Sequence, residues 1–317
     1  MADMRVLVSS CWPEAKDTVG IELVSLDGGP LPAFEAGAHI DVHLPDVGIR
    51  SYSLCGHPHD VSRYELGVLK DANSRGGSVA MHALSAGAVL DVDFPSNHFP
   101  MAPAGAAHVF FAGGIGITPF LAMTMEAQAR GERCRMHYAV RGREKAAYLG
   151  RLQSMLGSQL ELHVDEETGR HFDAGAAIAS VAPEEHVYVC GPQAFMEAVL
   201  NAARMAGIDE ARLHWEYFSA DAAQPHDGDA SFEVVLQSSG KTITVEAGQT
   251  IVQACSLIDV DVMVSCEQGV CGTCITSIIE GIPDHRDVYL TPQEKADGRV
   301  MLPCCSRSKT PRIVLDL

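Results

Sequence analysis

The chain has 317 residues, which at roughly 100–150 residues per domain is enough for two or three separate cores. A hydrophobic share of 47% and a charged share of 20% exclude a disordered tail or a fibrous repeat. Forty-one acidic against twenty-three basic side chains leave a net charge of −18, which repels nucleic-acid phosphates and anionic membrane surfaces. No nucleic-acid partner and no membrane partner is therefore expected. Ten cysteines without a secretory signal at Met-Ala-Asp-Met-Arg point to metal or redox chemistry in a cytoplasmic setting rather than to a disulfide framework.

Between Asp93 and Glu126 stand thirty-two residues without Asp, Glu, Lys or Arg, long enough to suggest a membrane span. Pro95, Pro100, Pro103, Gly113, Gly114, Gly116 and Pro119 interrupt it, so no continuous helix is expected there. A soluble protein is expected.

In chain order, the first hundred residues predict short strands at Arg5–Ser9, Val19–Leu26, His39–Leu44, Ser51–Cys55, Tyr64–Leu69 and Val89–Phe94, separated by turn residues. That spacing predicts a small antiparallel barrel or sandwich, with a boundary near Pro100–Gly105. Strand runs at His108–Ala112, Arg135–Val140, Leu160–Val164, His186–Cys190 and Arg212–Glu216 then alternate with helical stretches, notably Pro119–Ala129 and Gln193–Ala206. Alternating βαβ units predict a parallel sheet whose ligands sit beyond the strand C-termini. Residues Ala220–Ala230 are small, polar and acidic, as a linker would be. A hairpin of Phe232–Gln237 and Thr242–Glu246 and a short helix from Thr250 open the last segment. The excess of acid is spread over every segment rather than held in a tail.

The strongest chemical signal is Cys266-Glu-Gln-Gly-Val-Cys271-Gly-Thr-Cys274, with Cys304 following after twenty-nine intervening residues. C-x₄-C-x₂-C with a distant fourth cysteine is the plant-type spacing for a [2Fe–2S] cluster. Three thiolates reach one inorganic core from a single loop, and Gly269 and Gly272 let the loop backbone turn its N–H groups toward the sulfurs. Zinc usually takes two short cysteine pairs, and only one C-x₂-C is present. A bacterial [4Fe–4S] run would need C-x₂-C-x₂-C, which is absent. Cys305 adjoins Cys304, and on a strand only one of the two could face the cluster; the spacing selects Cys304. Cys11, Cys55, Cys134 and Cys255 read as buried free thiols.

Arg50-Ser-Tyr52-Ser53 offers a permanent cation, a flat ring and a hydroxyl on one strand, though an ordinary solvated strand would look the same. Arg75-Gly76-Gly77-Ser78 before the apolar run Val79–Leu84 is either an anion site or a plain helix N-cap. Gly113-Gly114-Ile-Gly116-Ile-Thr118-Pro119 links a strand to a helix but is not the Rossmann G-x-G-x-x-G, since Pro119 stands where its third glycine would be. Its glycines would let a pyrophosphate approach the helix N-terminus. Cys190-Gly191-Pro192 ends a later strand at the same edge.

Taken in order with the C-terminal cysteine motif, these segments resemble the phthalate dioxygenase reductase family, which includes vanillate O-demethylase-type reductases, over nearly the whole chain. The resemblance implies a multidomain α/β plus β protein: an antiparallel flavin-binding β-barrel (1–103), a parallel-sheet α/β nucleotide-binding domain (104–222) and a C-terminal β-grasp plant-type ferredoxin domain (231–317). It implies that Arg50, Gly76, Gly77 and Ser78 hold the phosphate of FMN, while Tyr52 and Ser53 meet its ring. Gly114, Thr118, Cys190 and Gly191 would position the nicotinamide nucleotide. Glu216-Tyr-Phe218 resembles the family segment near the flavin face. Ser53, Cys190 and Glu216 are the candidate catalytic groups, and Cys266, Cys271, Cys274 and Cys304 the candidate metal ligands. Asp284-His-Arg-Asp287 is also a family sequence; it reads as a salt-bridged turn or as surface contact near the cluster.

The function so implied is an NADH-dependent reductase passing electrons through FMN and a [2Fe–2S] cluster to a Rieske-type terminal oxygenase. Arg141 and Arg143 could bind a 2′-phosphate, but Glu144 and Asp165-Glu-Glu167 oppose one, so NADH is expected rather than NADPH. The alternatives are a stand-alone NAD(P)H reductase with a small-molecule acceptor, and a non-catalytic iron–sulfur electron carrier. The intact flavin and glycine motifs oppose the second of these.

Overall fold

The computed structural model describes residues 2–45, 47–72, 74, 76–218 and 229–317, and the chain falls into two compact units, Met1–Glu216 and Tyr217–Leu317. The first unit begins with β1 (Met4–Ala15), β2 (Thr18–Ser25), β3 (His39–Leu44), β4 (Gly48–Ser53), β5 (Tyr64–Leu69), helix α1 (Gly77–His82) and β6 (Val89–Val92). These strands form an antiparallel sheet in the order β4-β3-β6-β1-β2-β5. An isolated bridge between Leu54, just past β4, and Leu66 of β5 joins the two outer strands, so the sheet closes as a barrel rather than a sandwich. Inward-facing Val6, Val8, Ile21, Leu23, Ile40 and Val42 are fully buried at alternate positions. β1 continues well beyond Ser9. Its pairing with β2 is irregular at Val8/Ser10 and Pro13/Ala15, and such bulges erase the alternation by which a strand is read.

The same unit continues with β7 (Ala107–Gly113), α2 (Thr118–Ala129), β8 (Cys134–Val140), α3 (Leu149–Leu156), β9 (Leu160–Val164), α4 (Asp165–Thr168), α5 (Ala174–Ile178), β10 (Glu185–Cys190), α6 (Gln193–Met205) and β11 (Leu213–Glu216). Its five strands are parallel, in the order β11-β10-β7-β8-β9. Every residue of β7 is buried, as is the first half of α2, with Pro119 in the helix's opening turn. The long uncharged run is therefore a central strand and a core helix. Among the described residues no helix is long and apolar enough to cross a membrane. The chain leaves β7 to one side through β8 and returns on its other side with β10, which opens a crevice beyond the C-termini of β7 and β10.

The second unit contains β12 (Phe232–Leu236), β13 (Lys241–Val245), α7 (Ile251–Ser256), β14 (Thr276–Glu280), β15 (Pro283–Asp284), α8 (Pro292–Asp297), β16 (Val300–Met301), β17 (Arg307–Ser308) and β18 (Arg312–Leu315). The mixed sheet runs β13-β12-β18-β14-β16, with β12 and β18 parallel, and β15 pairs with β17 apart from it. α7 starts from a capping box of Thr250 and Gln253 and packs Ile251, Ala254 and Cys255 on Phe232, Val234 and Ile313, as a β-grasp does. Most of the expected linker, residues 220–228, lies outside the described residues. Asp229 is not free linker: it is paired with Arg286 and Arg307.

Candidate functional site

The C-terminal edge of the parallel sheet is built by backbone meeting backbone. A Cβ on Gly116 would lie 2.3 Å from the carbonyl oxygen of Cys190, and one on Gly191 would lie 2.8 Å from the Cα of Gly113. A Cβ on Gly113 itself would strike Pro192 and Phe195. Two of the three glycines in the turn, Gly113 and Gly116, thus serve internal packing. Gly114 differs: its φ is +53° and nothing lies within 4 Å of where a Cβ would stand. The open space at this turn is at Gly114. Thr118, which opens α2, is buried and donates its hydroxyl to the carbonyl of Ile115.

Cys190 and Glu216 are register partners at the ends of β10 and β11. Glu216 is only partly buried as a residue, but its Oε2 is enclosed without a hydrogen-bond partner. Burial pushes its carboxyl up to about 8, so the group holds its proton at neutral pH. Burial and the neighbouring Glu216 carboxylate push the Cys190 thiol well above its ordinary range. This corner carries two protonated acids side by side. Phe218 belongs to the second unit.

On the barrel, Arg50 and Tyr52 share one face of β4, and Ser53 points to the other at the strand's end. Burial raises the Tyr52 hydroxyl to about 12, against the pull of Arg50. A Cβ on Gly77 would lie 2.9 Å from Cγ of Arg50, so the start of α1 lies directly on the arginine side chain. Gly76, at φ +98°, faces Val47. The Ser78 hydroxyl accepts from the Asp71 amide and donates to Ser74. Arg50 and Gly77 are therefore brought together, while the Gly76 amide already donates to the Ser74 hydroxyl at 3.2 Å; a guanidinium beside a helix start is a donor set suited to a phosphate. Arg75 lies outside the described residues.

In the second unit the four motif thiols stand as two pairs. The Cys266 thiol hydrogen-bonds Cys271, which raises its own pKa and lowers that of Cys271 to about 5. Cys274 is likewise hydrogen-bonded to Cys304, which raises the Cys274 thiol. Among the described residues no group of three or more His, Cys, Asp or Glu side chains is placed to hold a single metal ion. Backbone N–H groups of Gln268 and Val270 reach Cys266, and that of Gly269 reaches Cys304, as the loop glycines led one to expect. Gly269 also has a second reason to be glycine, since a Cβ there would lie 2.6 Å from Sγ of Cys305.

Cys304 and Cys305 lie in a turn, not on a strand, and both are buried. Strand alternation therefore does not separate them. Cys304 interacts both with Cys274 and with its neighbour Cys305, whose thiol also points toward the Leu302 carbonyl and the Ser306 hydroxyl. Asp284–Asp287 is an internal brace. Arg286 pairs with Asp284 and Asp229, and the buried Asp287 accepts from the Leu290 amide at 2.8 Å and pairs with Lys295. Of the other cysteines, Cys55 and Cys255 are buried as expected, while Cys11 and Cys134 are only partly so.

Sequence reasoning missed where barrel and sheet meet. A Cβ on Gly67 of β5 would be 2.8 Å from both Cγ2 of Thr118 and the hydroxyl of Tyr148. Tyr148 has φ +58°, its amide donates to Glu14, and Arg151 pairs with Glu65 at 2.9 Å. A glycine inside a strand pattern marks close backbone approach and was the available signal.

Two family models match the chain: an oxidoreductase NAD-binding domain over residues 110–201 and a 2Fe-2S iron-sulfur cluster binding domain over residues 234–309. The chain is 45% identical to a vanillate O-demethylase oxidoreductase of Pseudomonas putida over 307 residues, 96% of each chain. It is 41% identical to a tetrachlorobenzoquinone reductase of Sphingobium chlorophenolicum over 309 residues, covering 96% of this chain and 94% of the other. A solved structure of phthalate dioxygenase reductase, a modular protein for electron transfer from pyridine nucleotides to [2Fe–2S], superposes with a TM-score of 0.81 at 35% identity, covering 99% of this chain and 98% of that one. With its NAD-binding sheet and its paired thiols, the chain belongs to the phthalate dioxygenase reductase and vanillate O-demethylase oxidoreductase family, and is an NAD-linked iron–sulfur oxidoreductase.

Proposed function

We propose that this protein takes electrons from NADH on the parallel sheet, passes them through FMN on the barrel to a [2Fe–2S] cluster, and delivers them to a Rieske-type terminal oxygenase in the cytoplasm. The observation that carries the reading is the packing of Thr118 against Gly67, which brings the nucleotide turn of the sheet onto the barrel strand β5. The functional modules of this reading are residues 1–103, 104–222 and 231–317.

FMN, when bound, accepts a hydride and releases electrons singly to the one-electron cluster. Arg50, Gly76, Gly77 and Ser78 bind its phosphate, Tyr52 covers its ring, and Ser53 meets the ring from the strand's end. Gly114, Thr118, Cys190 and Gly191 orient the nicotinamide nucleotide. Glu216 and Phe218 act near the flavin face. Glu216 keeps a proton at its enclosed Oε2, so the corner where a cationic product would form is uncharged before reaction. Cys266, Cys271, Cys274 and Cys304 ligate iron, in the two pairs that their hydrogen bonds mark.

A second reading has one specific support, the 41% identity to a tetrachlorobenzoquinone reductase: the acceptor would then be a small quinone. Steady-state NADH oxidation separates the two. The oxygenase reading expects turnover to rise at least about tenfold on adding a purified Rieske terminal oxygenase. Fast turnover with a quinone and no response to any oxygenase would overturn it.

Cys304→Ser should abolish most cluster absorbance while Cys305→Ser keeps it. The reverse pattern would show that the ligand assignment is wrong.

Glu216 makes stability depend on pH with a definite sign. Its carboxyl titrates near 4.5 when unfolded and about 8 when folded, so between those values only the folded state keeps the proton. The contribution is complete below pH 4.5 and is lost as pH rises through 8. Relative to Glu216→Gln, the unaltered protein should lose more than about 1 kcal/mol of unfolding free energy between pH 5 and pH 8, measured in urea. Parallel curves for the two proteins would refute the buried proton.

A further inference from the structure

The two loops that follow β8 and β9 form a rim beside the nucleotide turn. β8 neighbours β7, with Ala139 in register with Gly113, and β9 neighbours β8, with Val164 in register with Val140. In nucleotide-binding sheets the strand next to the glycine turn carries the group that reads the adenosine ribose, an acid for a 2′-hydroxyl or an arginine for a 2′-phosphate. Here Arg143 stands just beyond β8, and its guanidinium is already occupied. Nε donates to one carboxylate oxygen of Glu167 at 2.7 Å and Nη2 to the other at 2.8 Å. The pair raises the arginine's pKa and lowers the glutamate's.

The placement of Glu167 is supported from below. The Glu166 amide donates to the Arg141 carbonyl at 3.0 Å, which ties the two loops together. Asp165, which opens α4, is held by His163 at 3.1 Å and His171 at 2.8 Å. Acids also surround the arginine's neighbour: a Cβ on Gly142 would lie 2.6 Å from a Glu144 oxygen and 2.8 Å from a Glu166 oxygen. Lys16, the cation nearest Glu144, is paired with it at 3.3 Å. A dianionic 2′-phosphate would have to displace Glu167 from the fork while facing Glu144 and Glu166. A 2′-hydroxyl faces neither cost.

We propose that Glu167, by closing the Arg143 fork, is the residue that makes this protein select NADH over NADPH. The inference rests on the nicotinamide reading above and adds the residue that sets its nucleotide preference. Both side chains are about half exposed, so their replacement leaves the core intact.

The test uses Glu167→Ala, Glu167→Gln and the double variant Arg143→Ala/Glu167→Ala in the full chain. Two ratios are read: kcat/KM for NADPH against NADH, and the Kd of 2′,5′-ADP against 5′-ADP by calorimetry, which needs no turnover. Freeing the fork should move both ratios toward the 2′-phosphate by about tenfold or more in Glu167→Ala, the worth of one charge-assisted contact. Glu167→Gln should move them less, and the double variant should return them to the unaltered values. Unmoved ratios in Glu167→Ala, or a gain that persists without Arg143, would overturn the assignment. Failure of 5′-ADP to compete with NADH on the unaltered protein would instead overturn the nucleotide reading, and the inference with it.

Discussion

Two strand ends touch backbone to backbone where β7 and β10 leave the parallel sheet, and the layout of the first unit follows from that contact. No side chain fits between them: a Cβ at Gly116 would lie 2.3 Å from the Cys190 carbonyl, and one at Gly191 would lie 2.8 Å from Gly113. The closeness brings Cys190 to the crevice and, through its register partner in β11, Glu216 as well. It also starts α2 where Thr118 can lie against Gly67 of the barrel. A larger residue at any of these positions would push the nucleotide turn and the barrel apart, and transfer between bound groups is steeply sensitive to such displacement.

The cysteine loop of the second unit obeys a related constraint with other means. Gly272 lies against the Tyr289 ring, whose atoms begin 2.2 Å from a Cβ placed there, and Gly269 lies against Cys305 and Asp287. Asp287 is buried, and its bonds to Leu290 and Lys295 hold the segment that covers the loop. Three of the four thiols are thus presented by a loop whose glycines are packed against Tyr289, Cys305 and Asp287, and the fourth, Cys304, by a separate turn. The backbone amides aimed at Cys266 and Cys304 favour added negative charge on the sulfurs, which suits a centre that must accept an electron.

Much of this was legible in the residues, for physical reasons that differ between segments. β7 and the first half of α2 are uncharged because both are buried, so period and punctuation alone told them from a membrane span. The cluster loop was legible because ligand spacing is a covalent constraint. The outer half of β1 was not, because its irregularities between Val8 and Ser10 and between Pro13 and Ala15 break the alternation. Nor was the double character of the glycine turn: sequence cannot tell a glycine with open space beside it, such as Gly114, from one packed against the chain itself, such as Gly116. Cys304 and Cys305 stand in a turn that strand reasoning did not foresee. Tyr148 and Arg151 escaped because their partners, Glu14 and Glu65, are far away in the chain.

The proposed function has one polypeptide carry electrons from a nicotinamide nucleotide through a flavin to a two-iron centre. Anaerobic addition of NADH to the purified protein, followed by visible absorbance and electron paramagnetic resonance, tests it most directly. The account predicts a flavin band that bleaches on NADH addition and a reduced [2Fe–2S] signal that grows in with it. Cluster absorbance without flavin, or a flavin that NADH leaves oxidised, would contradict it.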